Sequence, residues 1–146
     1  MVSNVLVAVD LNLEPARFVL AKAKEFSSAK GSMEVVHVVE PQYVQYSFDP
    51  SFTGSLTRSL EEEALAGAAK RLAEVCQPLD VPAAHQHVVL GRVAQKIHEL
   101  AEQLDCAAII IGSHSQTGWR RLLGSTANSV LHGAPVDVLV VRCDPD

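Results

Sequence analysis

Two polar segments follow apolar runs of the chain, and their residue types suit the binding of a small phosphorylated ligand. Asp10 directly follows the apolar run at residues 5–9, and Gly112 directly follows the run at residues 106–111. A carboxylate that ends a strand can accept hydrogen bonds from the hydroxyl groups of a sugar. A glycine at such a position lets the backbone approach a ligand closely. Asp10 could instead cap the turn that follows its strand, but the ligand role is the favoured interpretation.

The second segment ends on residues that suit an anion. Gly124, Ser125 and Thr126 stand directly before a short predicted helix. The first amide groups of a helix have no intrahelical acceptor, so amides with hydroxyl groups beside them form a site for a phosphate. A purely structural role fits equally well, because Gly112 and Gly124 would then only allow turns and a hydroxyl would only cap the helix. The residue types alone leave both interpretations open.

The elements that must position these segments follow from the hydrophobic periodicity, which switches repeatedly between strand and helix patterns. Strands are predicted at residues 5–9, 33–39, 83–90, 106–111 and 136–141, and helices at residues 14–30, 55–76, 93–104 and 125–131. Strict alternation of strands and helices predicts parallel strands that are joined by right-handed crossovers, with helices on both faces.

The predicted fold class is therefore α/β, with a five-stranded parallel sheet in the order 3-2-1-4-5 that is doubly wound and Rossmann-like. Ligands of such sheets bind beyond the carboxyl ends of the strands, at the point where the strand order reverses. In this order the reversal lies between the first and fourth strands. Asp10 and Gly112 leave those two strands, so the fold predicts that the two polar segments meet.

Composition limits the classes of function. The chain has 146 residues, of which 48% are hydrophobic and 20% charged, and this indicates one globular domain. A net charge of −5 argues against general nucleic-acid binding, which usually needs a basic stripe. The longest apolar runs are about five residues, whereas a membrane span needs about 20. Three separated cysteines and a first segment without a basic region predict reduced thiols in the cytoplasm.

No catalytic set is recognisable in the sequence. Walker A, GxSxG, HExxH and GxGxxG patterns are absent, and the acidic residues have no evident nucleophile as a partner. His85 and His87 have the spacing of two metal ligands on one strand face. No cysteine or acidic residue is near them in sequence, so a surface location on an edge strand is favoured. His98 is expected on a helix surface, and His37 on a strand near the sheet.

Several of these features resemble one known family, the universal stress proteins of the UspA superfamily. The resemblance covers essentially the whole chain and rests on the strand that ends at Asp10, the pair His37-Val38, the stretch from Gly112-Ser113-His114 to Gly124-Ser125, and the last strand. Nucleotide-binding members carry glycine, two residues, glycine, nine residues, and then glycine with serine or threonine. This chain departs twice, because Ser115 replaces the second glycine and eight residues, 116–123, precede Gly124.

The resemblance implies a single domain over residues 1–146 with a fold like that of the adenine nucleotide alpha hydrolases. It implies ATP, or another adenine nucleotide, at the switch point, with Mg²⁺ that has no dedicated protein ligands. Asp10 would contact the ribose with Ala8 nearby, and Val38 would offer its backbone to the adenine. The remaining matched residues would flank the nucleotide or hold its phosphates: Ile111, Gly112, Ser115, Gly124, Ser125 and Thr126.

The last strand predicts assembly. It runs from Val136 to Val141, lies at the edge of the predicted sheet and carries little charge, and such edges tend to pair with another chain. Antiparallel pairing about a two-fold axis gives a homodimer, which the resemblance also implies. The first hypothesis is thus a cytoplasmic stress-response protein that signals its bound ATP through a dimer or partner surface. The alternatives are a dimeric interaction module without nucleotide, which Ser115 favours, and a slow ATPase.

Overall fold

The structure, a computed structural model, describes residues 4–41, 54–113 and 124–143, with side chains from residue 58 onward in the middle range. Its strands are β1 Val5–Ala8, β2 Met33–Val39, β3 Gln86–Leu90, β4 Ala108–Ser113 and β5 Asp137–Arg142. Its α-helices are α1 Leu13–Phe26, α2 Gly54–Cys76, α3 Val93–Gln103 and α4 Ser125–Leu131. Within these ranges no helix is both long enough and apolar enough to cross a membrane.

The five strands form one parallel sheet in the order β3-β2-β1-β4-β5. This order confirms the predicted fold class. The central strand β1 is buried along its whole length, as its continuous apolar run requires of a strand covered on both faces. Its side chains alternate between two cores: Val5 and Val7 pack in one with α1 and α2, and Leu6 and Ala8 pack in the other with α3 and α4.

The first helix ends earlier than its periodicity predicted. α1 stops at Phe26 rather than near residue 30, and the backbone of Ser27 is extended. The Ser27 hydroxyl donates to the Lys24 carbonyl, and the Ser28 hydroxyl accepts the amide of Lys30. Serine side chains that bond the local backbone compete with helical hydrogen bonds, and two consecutive serines therefore end this helix.

The starts of β3 and β4 also differ from the prediction. Residues Ala83–His85 form a short 3₁₀ turn after Pro82, so β3 begins at Gln86. The Cys106 amide donates to the Ala101 carbonyl at the end of α3, and β4 begins only at Ala108. β4 then continues to Ser113, which places Gly112 inside the strand rather than in the loop that was predicted to begin there.

Candidate functional site

A cavity of about 200 Å³ lies at the carboxyl ends of the strands, between the end of β1 and the end of β4. This is the switch point of the sheet, where the sequence placed the ligand. Six of the predicted site residues line the cavity: Ala8, Asp10, Val38, Ile111, Gly112 and Thr126. Gly124 and Ser125 lie beside Thr126 at the start of α4. Ser115 lies outside the described residues.

Asp10 stands on the cavity wall and also shapes the turn into α1. Its Oδ1 accepts the backbone amide of Asn12 at 3.1 Å, and the Asn12 side-chain amide lies 3.5 Å from its Oδ2. Asn12 is the N-cap residue of α1. The turn role that the sequence left open is therefore present. A carboxylate has about four acceptor positions, so the turn contacts do not by themselves exclude a ligand hydroxyl.

Gly112 lies where the packing leaves no room for a side chain. A Cβ atom at this position would lie 2.8 Å from Sγ of Cys143 and 2.8 Å from a methyl carbon of Val19. Both distances are well below an ordinary contact of about 3.5–4.0 Å. The sequence left open whether this glycine allows close approach by a ligand or only a turn. The structure shows that its missing side chain would face α1 and β5, while its backbone borders the cavity.

Ser113 joins the end of β4 to the start of α4, a role that the sequence did not reveal. Its buried hydroxyl accepts the amide of Gly124 at 3.2 Å, and its carbonyl accepts the amide of Cys143 at 3.1 Å. The N-cap of α4 is Gly124, which makes no side-chain cap bond, so neither Ser125 nor Thr126 is the cap residue. The amides of Ser125 and Thr126 lie in the first turn and lack intrahelical acceptors.

Val38 presents a backbone edge to the cavity. The Val9 amide donates to the Val36 carbonyl, and the Gly91 amide donates to the Val39 carbonyl. Alternate residues of a central parallel strand bond to opposite neighbours, so the amide and carbonyl of Val38 point to the β1 side. The register between β1 and β2 stops at Ala8 and Val36, and Val38 therefore faces a gap that β1 has left.

His37 also lines the cavity, although the sequence predicted only a position near the sheet. Its Nδ1 lies 2.9 Å from the carbonyl oxygen of Val9. A carbonyl can only accept, so Nδ1 carries the proton and donates it. The separation of 28 residues hides this contact from local sequence patterns.

The comparisons with known proteins point to one family over nearly the whole chain. The sequence profile described as the Universal stress protein family matches residues 1–142. Universal stress protein A homolog 1 of Coxiella burnetii is 36% identical over 138 residues, which are 94% of this chain and 94% of that protein. The chain belongs to the universal stress protein family. A second Coxiella burnetii relative, Universal stress protein A homolog 2, is 36% identical over 140 residues, 95% of this chain and 94% of its own length.

Solved structures of this family share the fold. Universal stress protein UspA from Lactobacillus plantarum superposes with a TM-score of 0.70 at 23% identity, covering 96% of this chain and 97% of its own. A universal stress protein crystallised in complex with cAMP gives a TM-score of 0.59 at 21% identity, covering 98% of each chain. At these identities the superpositions show a common fold.

Two of the remaining histidines share an acidic partner that the sequence did not predict. Glu34 of β2 is buried, with 7% of its surface exposed. Its Oε1 lies 2.8 Å from Nε2 of His87, and its Oε2 lies 3.4 Å from Nδ1 of His85. The partner lies on a neighbouring strand, 53 residues before His87. Among the described residues no group of three or more such side chains is arranged to hold a metal ion.

His98 also differs from its prediction, because it is half-buried and joins two helices. Its Nε2 donates to the Val130 carbonyl at 2.7 Å, which ties α3 to the last turn of α4. The expected helix-surface location is therefore only partly right. The contact fixes α4 against α3 and so contributes to the position of the α4 start at the cavity.

Proposed function

We propose that this member of the family binds an adenine nucleotide, ATP in the first instance, in the cavity between β1 and β4. The observation that carries the proposal is the backbone edge of Val38, which offers one donor and one acceptor to the gap beyond β1. Asp10 and Thr126 border the same cavity. A base, a sugar and a phosphate group would thus each meet a suitable partner. A family structure in complex with cAMP supports the choice of an adenine nucleotide.

The roles of the site residues in this proposal run from base to phosphate. The adenine meets the backbone of Val38, and the ribose hydroxyl groups donate to Asp10, with Ala8 beside them. Ile111 and Gly112 flank the nucleotide. The phosphates extend to the start of α4 and the residues before it, which are Ser115, Gly124, Ser125 and Thr126. The Gly124 amide already donates to Ser113, so the first-turn amides that this proposal assigns to the phosphates are those of Ser125 and Thr126.

Mg²⁺ accompanies the phosphates in this proposal. The described part of the site offers one carboxylate, Asp10, and the hydroxyl groups of Ser125 and Thr126. Such a set does not form a dedicated protein cage, but Mg²⁺ commonly keeps several waters and binds through phosphates and one carboxylate. When bound, the ion would neutralise phosphate charge, which a chain with a net charge of −5 does little to balance.

The proposed output is a contact with another chain, in a cytoplasmic, single-domain protein that takes part in a stress response. β5 is an edge strand of the sheet, and Val138, Leu139 and Val140 are only half-buried there. Antiparallel pairing of two such edges, from Val136 to Val141, would cover these side chains and form a homodimer. Bound nucleotide then alters the segment after Gly112 and through it a partner surface.

A dimeric interaction module without nucleotide is the second candidate. Ser115 in place of glycine and the eight-residue segment 116–123 favour it, because both depart from the nucleotide-binding pattern of the family. Slow ATP hydrolysis is a third hypothesis. A hydrolysis rate that is the same after Asp10→Ala and Ser125→Ala substitutions would show that this activity is a contaminant.

The deciding experiment is native mass spectrometry of the purified protein, followed by calorimetric titration with ATP and Mg²⁺. The expected result is a dimer that carries or takes up one adenine nucleotide per chain. Asp10→Ala and Gly124→Ala should weaken binding, and Glu62→Ala, on the exposed face of α2, is the matched control. No adenine nucleotide bound at millimolar ATP would refute the proposal and favour the interaction module.

A further inference from the structure

The ladder between β1 and β2 ends one hydrogen bond early. Beyond Ala8 and Val36, the next bond of a parallel ladder would join the Val38 amide to the Val9 carbonyl. The preceding bond, from the Val9 amide to the Val36 carbonyl, is present at 3.0 Å. The next bond, from the Val38 amide to the Val9 carbonyl, is not formed in the described structure.

The Val9 carbonyl is engaged by a side chain instead. His37 stands next to Val38 on β2, and its Nδ1–H donates to this carbonyl at 2.9 Å. The imidazole therefore bonds the carbonyl that the ladder would otherwise pair with the Val38 amide. Val9 is buried, with 8% of its surface exposed, so its carbonyl needs a partner inside the protein.

We propose that His37 is a positioning residue, which engages the Val9 carbonyl in place of the Val38 amide and so keeps that amide available to the base of a bound nucleotide. The inference rests on the proposed function and deepens it, because it states how the site selects its base. The backbone amide and carbonyl of Val38 together suit a base that presents a hydrogen-bond acceptor beside an exocyclic amino group.

Adenine meets this requirement and guanine does not. Adenine offers N1 as an acceptor for the Val38 amide and its 6-amino group as a donor to the Val38 carbonyl. Guanine presents a protonated N1 and a carbonyl oxygen at the same places, so donor would face donor and acceptor would face acceptor. Sites built to hydrogen-bond one pattern reject the other strongly, because their own polar groups are left unpaired.

The test compares ATP with 1-deaza-ATP, in which a C–H group replaces N1 and removes the acceptor for Val38. In the wild-type protein ATP should bind about tenfold more tightly than 1-deaza-ATP, the value of one neutral hydrogen bond in a partly buried site. His37→Phe keeps the size of the ring but cannot donate. It should weaken ATP binding about tenfold and leave 1-deaza-ATP binding unchanged, so that the ratio falls to about one.

His37→Asn is the conservative variant, since its side-chain amide places a donor close to the position of Nδ1. It should restore most of the preference for ATP over 1-deaza-ATP. If His37→Phe weakens both ligands equally, or weakens neither, His37 does not act through Val38 and the inference is wrong. Unchanged binding of 1-deaza-ATP also shows that the variant remains folded.

A measurement without ligand separates this inference from the proposed function. Hydrogen exchange of the Val38 amide, followed by NMR, should be fast in the wild-type protein and slower in His37→Phe, where the Val9 carbonyl can accept it. Equal exchange in the two proteins overturns the role of His37. A change in exchange without nucleotide binding by the wild-type protein refutes the proposed function and supports the positioning role.

Discussion

Substitution of Gly112 by alanine tests whether packing or ligand approach explains this glycine. The new Cβ would stand 2.8 Å from both Cys143 Sγ and a Val19 methyl carbon, about 0.7 Å closer than an ordinary contact. Val19 is 3% exposed in the core beneath α1 and cannot swing into solvent. Overpacking of this kind costs about 1–3 kcal/mol. Alanine also reduces the conformational entropy of the unfolded chain, which stabilises the folded protein by about 0.4–1 kcal/mol.

The net expectation is a free energy of unfolding that is about 1–2 kcal/mol lower than that of the wild-type protein, measured by urea denaturation. Gly67→Ala is the matched control. Gly67 lies within α2, where an added Cβ would meet nothing within 4 Å. Alanine should stabilise that helix by about 1 kcal/mol, so the same substitution has opposite signs at the two sites.

A double mutant identifies the cause. In a Val19→Ala background the methyl group that the new Cβ would touch is gone, and Gly112→Ala should then cost about 1 kcal/mol less than it does alone. Wild-type stability of Gly112→Ala combined with weaker nucleotide binding would refute the packing argument and restore the role that the sequence suggested.

Two further predictions concern groups outside the cavity. Arg17 of α1 donates to the last carbonyls of α2, at 2.8 Å to Glu74 and 3.3 Å to Val75, so Arg17→Ala should lower the free energy of unfolding by about 1–2 kcal/mol. Arg17→Lys should recover part of this loss, and a stability equal to wild type in Arg17→Ala would contradict the capping role. Burial raises the pKa of Cys76 and of Cys106 to about 11, so both should resist iodoacetamide below that pH while the protein is folded. Because the unfolded thiols ionise near the ordinary value of 9.0, the unfolding free energy should fall as the pH rises from about 9 to 11, and pH-independent stability over that range would contradict the shift.

The sequence predicted the sheet and its order because β-branched runs and amphipathic stretches alternate without interruption. The early end of α1 was harder to predict. It depends on hydrogen bonds between the hydroxyl groups of Ser27 and Ser28 and the local backbone, rather than on apolar spacing. Contacts between residues far apart in the chain left no pattern in the sequence. Glu34 is far from His85 and His87 in sequence, and only the register of β2 and β3 brings them together.

The same limit applied to the site. The positions of Asp10, Gly112 and Thr126 around one cavity followed from the strand order, which fixes the strand ends that meet. The role of Ser113 did not follow, because its hydroxyl reaches Gly124 across a segment of ten residues whose path the sequence does not specify. The packing role of Gly112 was hidden as well, since Val19 and Cys143 come from separate elements.

The proposed recognition edge depends on a difference of one residue at the end of β1. The apolar run predicted a strand through Val9, but the strand ends at Ala8. In the proposed role of His37, its ring bonds the Val9 carbonyl that would have continued the ladder. A strand continued to Val9 would pair the Val38 amide within the sheet and remove the donor that the proposed site offers to a base. The proposed preference for adenine therefore depends on a hydrogen bond that the sheet does not make.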